Sequence, residues 1–456
     1  MRSSPGLLVL ATVGCGPGDI EPRQVRATVS PTMGTVVEVT WTTTDPTSGF
    51  VRFGDDGALT RATTPSMEPT TEHSALLVGL PPDERVDFAI VTGEGRREVE
   101  DRTRSVRTDP LDGFAPELVV TGEPVDHFLV VPALATDRSG RAHPLIIDPQ
   151  GRIVWSVTDT REAQVYRAQL SRDGSGITYS ATVVRGGPVT DSAIVRVDWH
   201  GDVVVTHDIP FLAHDFVEQA DGTLVSLASQ CRDEQGNPVP LADGGCPDAI
   251  EGNSLIAIAP DGSFETLWTT WDCLDPELHP SVADDRDNWT HTNALDYDEA
   301  TDTYVVSLRN LNSLLAVDVE SRSCAWGLGG VAGTLDLQGP SFRNQHQFHR
   351  VGDRLLVFDN RGGFPESRVL EYVFDPDAGT AVAVREFVSD PPLYTLVLGD
   401  VTRTRDGSTW IFWGNQGVTE LYGPDGELRL RIEIDDMIFG FSQIVADPGQ
   451  SQLEAP

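Results

Sequence analysis

Lysine is absent from this 456-residue chain, so all 33 basic residues are arginine, and 70 acidic residues leave a formal charge of -37. Nucleic acids and anionic membranes are gripped by clustered cations, so this balance speaks against both as partners. Cysteine is scarce, at five residues, and no CxxC pair occurs, which removes the usual signature of a structural zinc site. Hydrophobic residues are only 39% of the chain, below the usual globular share, yet over this length they still supply a sizeable core. What the chain has in plenty is turn formers, 43 glycines and 31 prolines, which disfavour a helical bundle or a transmembrane transporter. The length fits two to four domains, or one large repeat array with something smaller beside it.

Residues 1–15 read as an export signal: Arg2, a short apolar run over 7–13, then Gly14 and Cys15. The run is too short to span a bilayer. A small residue directly before Cys15 resembles a bacterial lipobox, in which case Cys15 is lipidated and anchors the body at a membrane; in plain secretion it is discarded. The expected location is therefore outside the cytoplasm, either membrane-anchored or free in the periplasm or medium. Four cysteines remain, Cys231, Cys246, Cys273 and Cys324. Cys231 and Cys246 bracket a Gly/Pro/Asp-rich segment and can staple one loop, leaving Cys273 with Cys324, although three connectivities are open.

After a linker over 16–24, residues 25–110 show short alternating runs between turns. Val37, Val39 and Trp41 share a face, residues 50–53 follow a Thr/Asp/Pro turn, and Val86, Phe88 and Ile90 alternate with polar neighbours. About seven such strands predict a small β-sandwich. The phrase Leu77-Val-Gly-Leu-Pro-Pro82 ahead of an alternating strand resembles a fibronectin type III module, a spacer or docking unit.

From 111 to 448 the chain repeats itself. Each unit pairs an opening strand and Asp/Gly-rich turn with an apolar run, a turn and a second apolar run: 126–131 with 145–155, 166–174 with 194–204, 214–226 with 255–262, 291–297 with 315–319, 346–349 with 368–375, and 399–407 with 418–426. Six units of four strands predict an all-β chain with a six-bladed β-propeller over 111–448 and a tail over 449–456. The Asp-Gly turns are hairpin chemistry and carry no function.

In such a ring the first strand of each unit lines the central channel. Of ten scattered histidines, His214, His291 and His346 stand at the openings of consecutive units. Asn293 follows His291 by two residues, so a strand puts both on one face, and Arg309 ends the next strand. Imidazoles, an amide and a planar guanidinium suit a compact oxyanion such as sulfate or phosphate. Three histidines also suit a catalytic zinc, but a fixed cation at Arg309 repels a dication, and no metal is expected. Tyr166 and Arg167, opening the second unit, read either as contributors to the channel mouth or as ordinary blade residues. His349 reads as a surface or supporting residue, and His127 opens the first unit without other support.

The stretches Trp289-Thr-His-Thr-Asn-Ala-Leu-Asp296, Val306-Ser-Leu-Arg-Asn310, Trp326-Gly-Leu-Gly-Gly330, Phe342-Arg-Asn-Gln-His346, Leu356-Val-Phe-Asp-Asn360 and Ser367-Arg368 resemble the bacterial arylsulfate sulfotransferase (ASST) family, as does His214-Asp-Phe216 with Asp221-Gly222. The resemblance is closest over about 210–370. It implies a secreted six-bladed propeller that moves a sulfuryl group between phenols without a nucleotide sulfate donor and without a cofactor. It also implies that His346 is the nucleophile of a ping-pong reaction through a sulfohistidine. His291, Asn293 and Arg309 would hold the sulfuryl oxygens, and His214 would bind sulfate and handle the proton. The N-terminal sandwich and short signal depart from the family's pattern. Two other classes stay open: a non-catalytic propeller lipoprotein acting as a binding or adhesion module, and a metal- or quinone-dependent propeller enzyme.

Overall fold

A computed structural model describes residues 19–449, except 55–56, 112, 115, 137–140, 162–163, 183–191, 234, 241–245, 247–248, 280–287 and 300. Cys15 and the expected export signal lie outside the described residues. The chain is all-β: every described regular element is a strand or a one-turn 3-10 helix. Among the described residues no helix is long and apolar enough to cross a membrane.

Strands 23–107 form two sheets, one of Arg23–Val29, Val37–Thr47 and Thr70–Leu77, the other centred on Gly49–Gly54 and Arg85–Thr92. In Val37–Thr47 the residues Val37, Val39 and Trp41 are buried while Glu38 is exposed, the period-2 pattern of a strand with one wet face. Those three pack with Val51, Phe53, Phe88 and Ile90 of the second sheet in a common core.

Residues 118–445 form six further sheets, each of at least four strands; the second, third and fourth run in sequence order, while the first, fifth and sixth each take in a strand from out of order. Their middle strands do not alternate: Ala142–Ile147 and Gly176–Thr182 are buried at every position. That is the burial expected of strands covered on both faces. Separate cores join the first sheet to the second (Ile146 with Val195), the second to the third (Ile194 with Phe216), and the third to the fourth (Leu255 with Val306). Others join the fourth to the fifth (Leu314 with Leu370), the fifth to the sixth (Phe358 with Trp413), and the sixth back to the first (Ile432 with Leu145). The cycle closes.

The seam differs from the sequence units. Residues 126–131 were expected to open the first unit, but strand Phe128–Ala135 takes second place in its sheet. The inner place goes to Met437–Phe439 and Gln443–Val445, with Leu134 opposite Ile438 and Leu129 opposite Ile444. Leu118–Gly122 adds an outer strand to the sixth sheet. Main-chain hydrogen bonds between the two ends of the ring thus tie it shut, which no local pattern announces.

The N-terminal sheets dock on this seam. Arg61 makes a two-pronged ion pair with Asp447 at 2.9 and 2.7 Å, donates to the carbonyls of Gly79 and Val78, and lies over Phe53 and Phe128. The cysteines pair as Cys231–Cys246 and Cys273–Cys324. The second bond joins the chain after the third sheet to the outer strand of the fourth, closing a 51-residue separation. Loop-closure entropy makes that bond worth roughly 4 kcal/mol, so Cys273→Ser is expected to lower the urea midpoint clearly. An unchanged midpoint under oxidising conditions would contradict the pairing's role.

Candidate active site

The inner strands carry β-bulges at matching places: the register slips between Val165 and Ala168, between Ala213 and Phe216, and between Thr292 and Ala294. A bulge bends a strand and re-aims its side chains. Here the displaced residues are Tyr166-Arg167, His214-Asp215 and Asn293. His214 (φ 40°) and His291 (φ 44°) both hold left-handed backbone, which non-glycine residues adopt only when their surroundings enforce it.

The structure brings the expected residues together. The rings of His214 and His291 lie 5.4 Å apart, and Arg309 donates its backbone N–H to the His291 carbonyl at 3.1 Å. The Arg309 charge is felt by both His214 and His346. Asn293 donates its amide nitrogen to the carbonyl of Gln345, at 2.9 Å, and so ties the fourth sheet to the segment bearing His346.

His346 is almost fully buried, and its Nδ1 lies 2.8 Å from Asn360 Oδ1. The Asn360 amide nitrogen donates to the carbonyls of Thr395 (2.8 Å) and Leu398 (2.9 Å). Those two bonds fix which end of the amide faces His346: it must be the oxygen. Nδ1 therefore carries the proton and Nε2 carries the lone pair. Burial first, then the Arg309 charge, pushes the His346 pKa down to about 3, so the ring is neutral. Burial likewise lowers His214 to about 4. His214 Nδ1 and Asn293 Oδ1 are buried without a partner among the described residues, a cost that a polar ligand or water removes.

Sequence reasoning gave no role to Asp215 or Asp400 and left that of Tyr166 and Arg167 open. Tyr166 stacks on His214 with ring centres 4.7 Å apart, rather than being an ordinary strand residue. Arg167 forms a two-pronged pair with buried Asp215, which also accepts from Leu295 N–H at 2.9 Å and Gln347 Nε2 at 3.0 Å. One carboxylate thus links the inner strands of the second, third, fourth and fifth sheets. Asp400 accepts from Ser442 N–H at 2.7 Å and joins the sixth to the first. The signal was present, because Arg167, Asp215 and Asp400 all follow a unit's opening residue. Of the two readings of His349, surface or supporting residue, the structure favours the second: its Nδ1 accepts from Arg403 N–H at 2.8 Å, and it lines a cavity of about 120 Å³ with Arg167, Asp296 and Asp400.

The arylsulfotransferase (ASST) family model matches residues 112–436, the whole ring apart from its closing strands. The chain belongs to that family. No curated protein matches it in sequence. Among solved structures it is similar to a catalytically inactive virginiamycin B lyase from Staphylococcus aureus with quinupristin, at 10% identity and TM-score 0.39, over 73% of this chain and 97% of that one. It is also similar to a periplasmic gluconolactonase from Pseudomonas aeruginosa, at 13% identity and TM-score 0.39, over 79% of this chain and 95% of that one. Likenesses this distant carry no weight for the chemistry of an arylsulfotransferase-family protein.

In this family member the buried histidines have a consequence for stability. His346 (about 3), His214 and His349 (each about 4) stay neutral when folded, whereas an unfolded chain protonates them below about 6.5. The unfolded state therefore binds more protons, and the stability present above pH 6.5 is lost as pH falls toward 4, by about 1.4 kcal/mol per pH unit per histidine. His349→Gln is expected to flatten that slope by about one proton in urea titrations between pH 6.5 and 4.5. An unchanged slope would contradict a neutral His349.

Proposed function

We propose that this arylsulfotransferase-family chain is a six-bladed β-propeller behind a fibronectin type III-like sandwich, exported from the cytoplasm. Its reaction is transfer of a sulfuryl group from an aryl sulfate to a phenolic acceptor, with His346 as nucleophile. The observation that carries this reading is the Asn360 clamp, which leaves a neutral imidazole with its lone pair on Nε2 beside a guanidinium. A neutral ring nitrogen is a competent nucleophile, and fixed donors stabilise charge gathering on oxygen.

The steps balance without a cofactor. A bound aryl sulfate brings a negative charge against His214 and Arg309, which raises the His214 pKa so that it takes up a proton. His346 Nε2 attacks sulfur, the sulfur–oxygen bond to the aryl group breaks with its electron pair on oxygen, and His214 protonates the departing aryloxide. His346 now carries the sulfuryl group while Nδ1–H stays on Asn360. An acceptor phenol then gives its proton to His214, its oxygen attacks sulfur, and the nitrogen–sulfur bond breaks. His291, Asn293 and Arg309 surround the transferring group.

The test is a chromogenic aryl sulfate incubated with residues 16–456, with and without excess phenol. Acceptor-dependent chromophore release supports the reading; silence across several donors and acceptors would sink it. Asn360→Leu is expected to lower kcat by about 100-fold with KM changed less than about threefold, since it frees the tautomer while leaving the donors to sulfate in place.

A further inference from the structure

We propose that a second anion subsite lies beside His346 and holds a distal sulfonate, sulfate or carboxylate group of an aromatic substrate. A cavity of about 460 Å³ is lined by Phe342, Arg343, Asp359, Arg361, Phe364 and Arg368, a volume that fits a small aromatic ligand. The chain segments that build it are those that build the candidate active site. Arg343 precedes His346 by three residues, Arg361 directly follows Asn360, and Asn312 on its rim ends the turn begun by Arg309. Arg361 N–H also donates to the Arg343 carbonyl at 3.1 Å. Three peptide units extend at most about 11 Å, so the Cα atoms of Arg343 and His346 lie within that distance, the length scale of a fused aromatic dianion.

The three arginines are not equivalent. Arg368 is committed to Asp359 at 2.8 Å, Glu386 at 3.1 Å and the Ser341 carbonyl at 3.0 Å, so it forms the floor. Arg361 pairs with Glu366 and lies 4.5 Å from the centre of the Phe364 ring. Arg343 is exposed, and its guanidinium has no partner among the described residues. Phe364 is 47% exposed, an apolar face offered to solvent next to these cations. A flat anion would stack on Phe364 and meet the planar guanidinium of Arg343. In a protein of formal charge -37, an anion finds little other attraction at the surface.

The specificity claim rests on His346 being the reacting centre, but binding can be measured without turnover. Sulfonates mimic the sulfuryl group and are not transferred. The full chain is titrated calorimetrically with naphthalene-2,6-disulfonate and with naphthalene-2-sulfonate. The disulfonate is expected to bind at least tenfold more tightly, and Arg343→Ala with Arg361→Ala should erase that preference while leaving the monosulfonate within twofold. Arg343→Ala alone carries the test if Arg361→Ala misfolds, because the Arg343 side chain supports nothing in the fold. Equal binding of both ligands, no binding of either, or a preference that survives the substitutions overturns the subsite. If the preference is found and lost as expected but no aryl sulfate turns over, the subsite stands and the transferase reading falls.

Discussion

His346→Ala is expected to abolish acceptor-dependent sulfuryl transfer, lowering kcat by at least about ten-thousand-fold, because loss of a covalent nucleophile removes the route itself. The surrounding structure should survive. His346 precedes its strand, and its side chain bonds to Asn360, which keeps its own bonds to Thr395 and Leu398. What is lost is one buried hydrogen bond and the packing of the ring near Phe441, a destabilisation of about 1–2 kcal/mol. The decisive comparison is kcat against the thermal midpoint of the same sample. Activity within tenfold of the parent, with the fold intact, would remove His346 from the reaction.

The second large effect concerns stability. Asp215 is fully buried, and Arg167, which it pairs with, is 14% exposed. Asp215 also accepts from its own strand and from the fourth and fifth sheets. Removing the carboxylate takes the acceptor from a guanidinium, an amide and two main-chain N–H groups near the axis of the ring, and breaking a buried pair in this way costs about 3–5 kcal/mol. Asp215→Ala is therefore expected to lower stability to urea by at least about 3 kcal/mol. Replacing both Asp215 and Arg167 with apolar residues should recover part of that loss, because the stranded charge is gone. A single-variant loss below about 1 kcal/mol would mean that the axis is held elsewhere.

Much of this was legible in the sequence, for identifiable reasons. The strands of the ring announce themselves because Asp-Gly turns punctuate apolar runs in unit after unit. The family was legible from local phrases such as 342–346 and 356–360. Three histidines stood out because each opens a unit. The seam was not legible, since Leu134 pairs with Ile438 some three hundred positions away, and pairing of that range leaves no local periodicity. Arg167 and Asp215 looked like unrelated strand residues because they meet only through bulges, which depend on sheet geometry. Asn360 lay inside a quoted motif, yet its role as a tautomer lock needs the carbonyls of Thr395 and Leu398, on a loop that sequence spacing cannot place. His349 sits three residues after His346, but the strand begins only at Phe348, so strand alternation does not relate the two.

The absence of lysine makes the central measurement simple. Trypsin cuts only after arginine here, so residues 344–350 emerge as one peptide holding His346 and His349. The protein is mixed with aryl sulfate and no acceptor, quenched at alkaline pH within one turnover, digested and analysed by fragmentation mass spectrometry. One SO3 group on His346, discharged when phenol is added before the quench, is the predicted result. An unmodified 344–350 peptide in protein that turns over the same donor would contradict a sulfohistidine at this position.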